Sequence, residues 1–369
     1  MKTIAYDHQI FSNQRFGGIS RYICEIAERA QRRPDWNPIV IAPVHYNDHL
    51  ADSTVRQLGS YFPIRVPILA HLYRAANAVV APFIHAATRA DLLHRTYYSC
   101  STRPHGAKIV VTVHDMIHEI FPEHFSSRDR TSTLKRRAIA EADAVLCNSW
   151  STAIDLQRLL DVPSEKIAVT QLGYSTAFAA PQLSAANGAG QRRPFLLFVG
   201  QRARYKNFAK LLRAYAASSR LARDFDLVAF GGSPFSDDEQ ADIKALKLRP
   251  DSVRLQTGRD SDLAHAYAGA RALVYPSEYE GFGIPLLEAM SAGCPVICSN
   301  TSSLPEVALD AAEYFDPRDV ESIRAGVERV VYDEQHRDAL IARGRARCMD
   351  FSWDRCAEET FAVYQRLLS

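Results

Sequence analysis

A chain of 369 residues is too long for one ordinary hydrophobic core, since chains tend to split into domains beyond about 250 to 300 residues. With 47% hydrophobic and 23% charged residues it has the make-up of a globular protein, and intrinsic disorder is excluded. A formal net charge of +2 supplies no field that points to nucleic acid, so two domains are expected and any anionic partner has to be met locally.

Lys2 to Tyr6 opens the chain as a strand, so no secretory signal is expected, and no uninterrupted apolar run of about 18 residues follows. The seven cysteines, Cys24, Cys100, Cys147, Cys294, Cys298, Cys348 and Cys356, are odd in number and form no CxxC pair. That usage predicts reduced thiols and a cytoplasmic protein, at most peripheral to a membrane.

Further β-rich runs follow at Ile39 to Ala42, Ile64 to Val66, Leu92 to His94, Ile109 to Val113, Ala144 to Cys147 and Ile167 to Thr170, separated by helical patterns. This alternation predicts βα units on a parallel sheet. Gly17 and Gly18 come after the first strand and before a helix from Ile19. His114 and Asp115 end the strand Ile109 to Val113, at the carboxyl edge where open α/β sheets hold their ligands. Arg128, Arg130, Lys135, Arg136 and Arg137 fall in an expected helix, whose basic face is either simply solvated or able to attract anionic headgroups.

From Thr176 to Pro194 no apolar period can be traced, and Ala, Gly, Ser, Gln and Pro dominate, which predicts an interdomain linker. The alternation restarts at Phe195 to Val199, Leu227 to Phe230, Val253 to Leu255, Ala272 to Tyr275 and Val296 to Cys298. The expected organisation is a first domain over 1–178, a linker over 179–194 and a second domain over 195–351. No GxGxxG follows any strand, which weighs against a nicotinamide cofactor. His45, His49, His118 and His124 lack cysteines at zinc spacing, and no metal site is expected.

Pro276 to Met290 is the segment richest in chemistry. It reads strand, glycine-bearing loop, helix, with Pro285 suited to the first helical turn and the helix starting near Ile284. Gly281 and Gly283 allow close approach of a ligand, and the amides at the start of the helix favour a diphosphate. Glu280 and Glu288 are acceptors for sugar and ribose hydroxyls, or else acidic residues that merely stabilise a helix N-terminus. Arg202, Arg204 and Lys206 follow the strand Phe195 to Val199 and could stabilise the charge that grows on a departing pyrophosphate.

Glu280 to Glu288 resembles the Glu-x7-Glu signature of the retaining glycosyltransferases of family 4, within a run EGFGIPLLEAMSAGCPVI. Gly17-Gly18-Ile19-Ser20-Arg21, Val113-His114-Asp115, Cys147-Asn148-Ser149, Val199-Gly200, Lys206-Asn207, Leu304-Pro305-Glu306 and Phe351-Ser352-Trp353 appear in the family's order, so the resemblance covers nearly the whole chain.

The resemblance implies an α/β fold of the GT-B kind, two facing Rossmann-like parallel-sheet domains with an interdomain cleft, with a terminal helix over 352–369 crossing back onto the first. It implies transfer of a hexose from a nucleotide diphosphate sugar to an acceptor hydroxyl, with retention and without metal. Glu280 would position the sugar and Glu288 the ribose. Arg202, with Arg204 as second choice, and Lys206 would clamp the diphosphate, joined by Gly17, Gly18 and the Gly281, Phe282, Gly283 and Ile284 amides; His114 would meet the sugar or its phosphate.

The stretch from Asp7 to Tyr22 looks like bacterial mannosyl- or rhamnosyltransferases of surface polysaccharide assembly. GDP-mannose is therefore the expected donor and a lipid-linked saccharide at the inner membrane face the expected acceptor, with peripheral contact to anionic lipid. The competing readings are a nucleotide-sugar epimerase or phosphorylase on the same fold, and a non-catalytic nucleotide-sugar sensor.

Overall fold

Short runs of Val, Ile, Leu and Ala bounded by polar residues become strands buried on both faces, as parallel sheets require. The computed structural model describes residues 1–63, 67–100, 104–179, 193–202 and 204–369. They form two units, Met1–Gly173 with Ser352–Ser369, and Tyr174–Phe351.

In the first unit the strands are β1 (Lys2–Tyr6), β2 (Trp36–His45), β3 (Gln57–Tyr61), β4 (Leu92–Arg95), β5 (Lys108–Val113), β6 (Ala144–Cys147) and β7 (Ile167–Val169). They pair in parallel in the order β3-β2-β1-β4-β5-β6-β7. The helices are α1 (Gly18–Ala30), α2 (Asp48–Asp52), α3 (Pro67–Thr88), α4 (Ile117–Ile120), α5 (Thr131–Glu141) and α6 (Trp150–Leu160).

In the second unit β8 (Phe195–Val199), β9 (Asp226–Phe230), β10 (Val253–Gln256), β11 (Ala272–Tyr275), β12 (Val296–Ser299) and β13 (Ala312–Phe315) run in parallel in the order β10-β9-β8-β11-β12-β13. Its helices are α7 (Phe208–Ala217), α8 (Ser219–Asp224), α9 (Asp237–Ala245), α10 (Asp260–Gly269), α11 (Ile284–Ser291), α12 (Leu304–Ala308), α13 (Val320–Tyr332) and α14 (Glu334–Cys348). One face of the sheet packs on α7 and α13 through Phe198, Phe208, Leu212, Val274, Ile297 and Val327.

Both strand orders reverse direction beside the first strand of the unit, between β1 and β4 and between β8 and β11. In open α/β sheets this switch point leaves a crevice at the carboxyl ends of the strands, where ligands bind.

The last helix, α15 (Trp353–Leu368), belongs to the first unit, with Ser352 as its N-cap accepting from the Arg355 amide. Trp36 meets Phe361 edge-on at 4.9 Å between centroids. A polar chain continues inward: the Tyr364 hydroxyl lies 2.5 Å from His94 Nδ1, His94 Nε2 lies 2.8 Å from Thr112 Oγ1, and Thr112 meets the Tyr22 hydroxyl at 3.2 Å. Four buried polar side chains, from two strands and two helices, thereby satisfy one another.

The structure differs from the sequence expectations in three places, and two further expectations fall on residues it does not describe. β3 and β13 were not foreseen, since Gln-Leu-Gly-Ser-Tyr and Ala-Glu-Tyr-Phe lack a β-branched run; both lie at sheet edges. The strand expected over Ile64 to Val66 lies outside the described residues, as does 180–192 of the expected linker. The unit boundary falls after Gly173 rather than 178, because Phe178 is buried against Tyr267 of the second unit, 5.9 Å between centroids. Finally, the basic run is not one helix face: Arg128 and Arg130 precede α5, and Lys135 is buried, its Nζ 2.7 Å from Glu119 Oε2 and 2.8 Å from the Asp115 carbonyl.

Candidate functional site

At the switch point of the second unit, the loop after β8 and the loop after β11 bring two side chains together. Lys206 closes a single 3-10 turn, Arg204–Lys206, and its Nζ donates to Glu280 Oε1 at 2.5 Å and to the Tyr275 hydroxyl at 3.0 Å. Tyr275 is the last residue of β11, and burial, with the Glu280 carboxylate behind it, holds its hydroxyl well above the usual tyrosine range. A lysine, a carboxylate and a neutral phenol thus share one buried corner at the carboxyl edge of the sheet.

The Glu280 loop is braced from behind. Its amide donates to Ser302 Oγ at 2.9 Å, and Ser303 Oγ donates to the carbonyls of Glu280 and Phe282 at 2.9 and 2.6 Å. Asn207 Nδ2 donates to the Pro276 carbonyl at 3.1 Å and ties this loop to the turn that carries Lys206. Such bracing fixes both groups before any substrate arrives, which is the condition for electrostatic stabilisation at low reorganisation cost.

Gly283 caps α11 with φ +121, and a Cβ there would meet Leu304 Cδ2 at 3.0 Å, so the position tolerates glycine alone without strain. The helix begins at Ile284 with Pro285 in its first turn, leaving the Gly281 to Ile284 segment as the source of amides. The Phe282 ring is buried edge-on to Phe351, 5.8 Å between centroids, so only its backbone is available for a ligand. Glu288 lies one turn further on and is buried; it accepts from the Tyr267 hydroxyl of α10 at 3.1 Å.

Arg202 is fixed at the same edge. Its Nε donates to Glu239 Oε1 at 2.7 Å, Nη1 to the Gly231 carbonyl at 3.4 Å and Nη2 to the Ser233 carbonyl at 2.6 Å, while the guanidinium stacks over Phe235 at 4.6 Å. Burial works against the charge of Glu239, yet the Arg202 hydrogen bonds hold its carboxyl below the usual range. Arg202 is therefore a preorganised cation beside Gly200, whereas Arg204 is exposed. The structure joins Lys206 to Glu280, and gives Arg202 and Glu288 partners of their own.

In the first unit, Gly17 is the N-cap of α1 and Gly18 its first residue. His114 follows β5 and is buried, its Nδ1 3.1 Å from Asn148 Nδ2, with Tyr22 of α1 edge-on at 5.7 Å. Desolvation, reinforced by the Lys135 charge and opposed by Asp115, lowers the imidazole to about 4. The ring is thus neutral at neutral pH, and an amide donor at Nδ1 leaves Nε2 carrying the proton as a hydrogen-bond donor.

At this unit's own switch point stands a cluster built on the stretch Asp7 to Tyr22, to which the sequence reading assigned a family resemblance but no site role. Asp7 Oδ1 accepts from Thr96 Oγ1 at 2.6 Å and from the Thr96 amide at 3.1 Å, and Gln9 Nε2 donates to Asp7 Oδ2 at 2.6 Å. His8 and His85 are buried nearby. Asp7-His8-Gln9 directly after β1 was the available signal. Tyr275, Tyr267, Ser302 and Ser303 had no site role in the sequence reading, and Asn148 stood there only within the segment Cys147-Asn148-Ser149, because a residue that acts through another leaves no spacing of its own.

Residues 16–178 match the family described as Glycosyltransferase Family 4, and residues 180–347 match Glycosyl transferases group 1. The chain is 34% identical over 272 residues to the O-antigen chain mannosyltransferase B of Escherichia coli, which covers 70% of this chain and 71% of that protein. A serotype-specific mannosyltransferase of Escherichia coli is 29% identical over 279 residues, 71% of this chain but 34% of that longer protein. Among solved structures, the sucrose-phosphate synthase of Thermosynechococcus elongatus has a TM-score of 0.78 at 19% identity over 100% of this chain and 99% of its own, a likeness of fold.

Proposed function

The chain belongs to the glycosyltransferases of family 4 and group 1, and from that premise we propose that it transfers mannose from GDP-mannose to a hydroxyl of a lipid-linked saccharide during surface polysaccharide synthesis. Transfer proceeds with retention and without a metal ion. The likeness to O-antigen mannosyltransferases supports the choice of sugar. The observation that carries the chemistry is the Lys206, Glu280 and Tyr275 corner at the strand-order reversal of the second sheet.

The second unit holds the donor. Lys206 and Arg202 receive the diphosphate with the amides at Gly281, Phe282, Gly283 and Ile284, and Arg204 is the further cation within reach of the same turn. Glu288, aligned by Tyr267, takes the ribose hydroxyls, and Glu280 orients the sugar. As the glycosidic bond breaks, negative charge accumulates on the leaving phosphate, and fixed cations stabilise that state more than the ground state. The departing phosphate oxygen then receives the proton of the acceptor hydroxyl.

On the first unit, His114 acts as a neutral hydrogen-bond donor to the sugar or its phosphate, and the α1 amides at Gly17 and Gly18 add an anion-binding helix start. The Asp7, His8 and Gln9 edge offers hydroxyl-binding groups for the acceptor.

A thermal-shift panel of GDP, UDP, ADP and dTDP tests the donor, because a ligand that binds only the folded chain raises its melting temperature. GDP is expected to give the largest shift, and labelled mannose from GDP-mannose is expected to appear in an organic-extractable product. A larger shift with UDP would overturn the donor assignment. Donor turnover without acceptor would favour an epimerase, phosphate dependence a phosphorylase, and binding without turnover a sensor.

A further inference from the structure

Helix α3 carries its polar contacts on the inside and its apolar residues on the outside. Inward, Asn77 Nδ2 donates to the Val44 carbonyl at 2.8 Å and to Ser12 Oγ at 2.7 Å, Asn77 Oδ1 accepts from the Val44 amide at 2.9 Å, and Ala81 and His85 are buried beside it. Outward stand Leu72, Val79, Val80 and Phe83, which are 58, 65, 42 and 74% exposed, with Ala75, Ala78, Ala86 and Ala87 between them. A helix that is anchored by an asparagine and buries a histidine, while it offers valines and a phenylalanine to the outside, has the reverse of the usual arrangement, and contiguous apolar surface of this kind marks an interaction site.

The charge around it narrows the partner. From Ser53 to Ala90 the sequence has no Asp or Glu but holds Arg56, Arg65, Arg74 and Arg89. Arg56, Arg74 and Arg89 are exposed, as are the aromatic rings of Tyr61 and Phe62. Next to Phe83, a groove between α3 and the strands β2 and β3 is lined by Ile39, Leu58, Ile84 and Ala87, with Arg56 on the same lining. An apolar face with aromatic flanks and cations, whose neighbouring carboxylate Asp48 is already taken up by Arg15 and the Tyr61 hydroxyl, suits the interface of a bilayer that carries anionic lipid. A second copy laid on this face would set arginines against arginines. No helix among the described residues is long and apolar enough to cross a membrane, so α3 would lie in the surface plane.

We propose that the outer face of α3 docks this protein onto an anionic lipid bilayer, with Val79 and Phe83 entering the headgroup boundary and the surrounding arginines meeting lipid phosphates. The attachment shares with the proposed function only the lipid-linked acceptor, and it does not depend on the donor. It places the membrane contact on α3 instead of on the run from Arg128 to Arg137.

The test is flotation of the full chain with vesicles of phosphatidylcholine alone or mixed with phosphatidylglycerol. The wild type is expected to float with the mixed vesicles and far less with phosphatidylcholine. Val79→Asp with Phe83→Asp should weaken that binding by at least about tenfold, since two apolar side chains leave the boundary. Val79→Ser with Phe83→Ser, a gentler change, should weaken it in the same direction, and both variants should keep the wild-type circular dichroism melt and the thermal shift with GDP. Arg136→Glu with Arg137→Glu should leave flotation unchanged. The proposal is overturned by absence of binding to either vesicle, by binding that the folded Val79 and Phe83 variants retain, by loss of binding in the Arg136 and Arg137 variant, or by a dimer in solution that the Val79 and Phe83 substitutions dissociate. A wrong donor assignment would change the nucleotide shift and leave flotation intact.

Discussion

Lys206 and Glu280 come from loops 74 positions apart in sequence and meet at 2.5 Å, with the Tyr275 hydroxyl completing the contact from the end of β11. The cation assigned to the diphosphate and the carboxylate assigned to the sugar are thus one hydrogen-bonded unit, so each positions the other.

Separate substitutions should divide their roles. Lys206→Ala is expected to lower kcat by about 10² to 10³-fold, the usual cost of removing one preorganised group from a developing anion. Glu280→Gln should reduce transfer while the thermal shift with GDP persists, because the sugar and not the nucleotide loses its contact. Wild-type turnover in either variant, measured under saturating donor, would refute the assigned roles.

Tyr267 acts through Glu288. Its hydroxyl is buried and donates to a carboxylate, a bond worth about 1.5 to 3 kcal/mol. Tyr267→Phe should therefore raise the donor KM roughly tenfold with kcat nearly kept, as the ribose anchor loosens while the reacting centre is untouched. A fall in kcat at unchanged KM would place Glu288 at the chemical step instead.

His114, lowered to about 4 by burial, should remain neutral through the whole working range. Its ionisation is expected to add no acid limb to the kcat/KM profile between about pH 5 and 7. Asn148→Asp would set a carboxylate beside Nδ1 and raise the imidazole by about one unit or more, bringing an acid limb into that window. A profile identical to wild type in a folded Asn148→Asp protein would show that Nδ1 does not face residue 148 in the working enzyme.

Acid should open the first unit before the second. His85 and His114 are lowered to about 4 and His94 to about 3, in each case chiefly by desolvation, whereas an unfolded histidine titrates near 6.5. The folded state therefore favours the neutral rings. Their contribution is complete above about pH 6.5 and is lost as pH falls through the interval down to about 4, because the unfolded chain takes up protons there that the folded chain refuses. The histidines of the second unit, His265 and His336, are not buried. Hydrogen exchange at pH 5 against pH 7 should show protection falling first in β4 and β5; simultaneous loss in β8 and β11 would count against this account.

The architecture was readable wherever apolar strands announce themselves: β1, β5, β6, β8, β11 and β12 fall where Val, Ile and Leu cluster. The edge strands β3 and β13 escaped because their neighbours, and not their own side chains, make them strands. Lys206 and Glu280 were legible as separate residues through the order of segments along the chain, but their contact depends on β11 being inserted beside β8, a long-range pairing that no local pattern encodes. Lys135 shows the opposite failure. In the sequence it belongs to a basic run, and only the fold reveals that Glu119 and Asp115 draw it inward.

The return of α15 to the first unit has a consequence for synthesis. Tyr22, Trp36 and His94 find Trp353, Phe361 and Tyr364 only after the intervening Tyr174–Phe351 segment has been translated. The half of the protein that leaves the ribosome first is thus the last to close its core, and its nascent apolar surface must wait for the final helix. A stop codon just before Trp353 would spare every donor-side residue and still yield a chain with a permanently open seam, a natural client for chaperones and proteases.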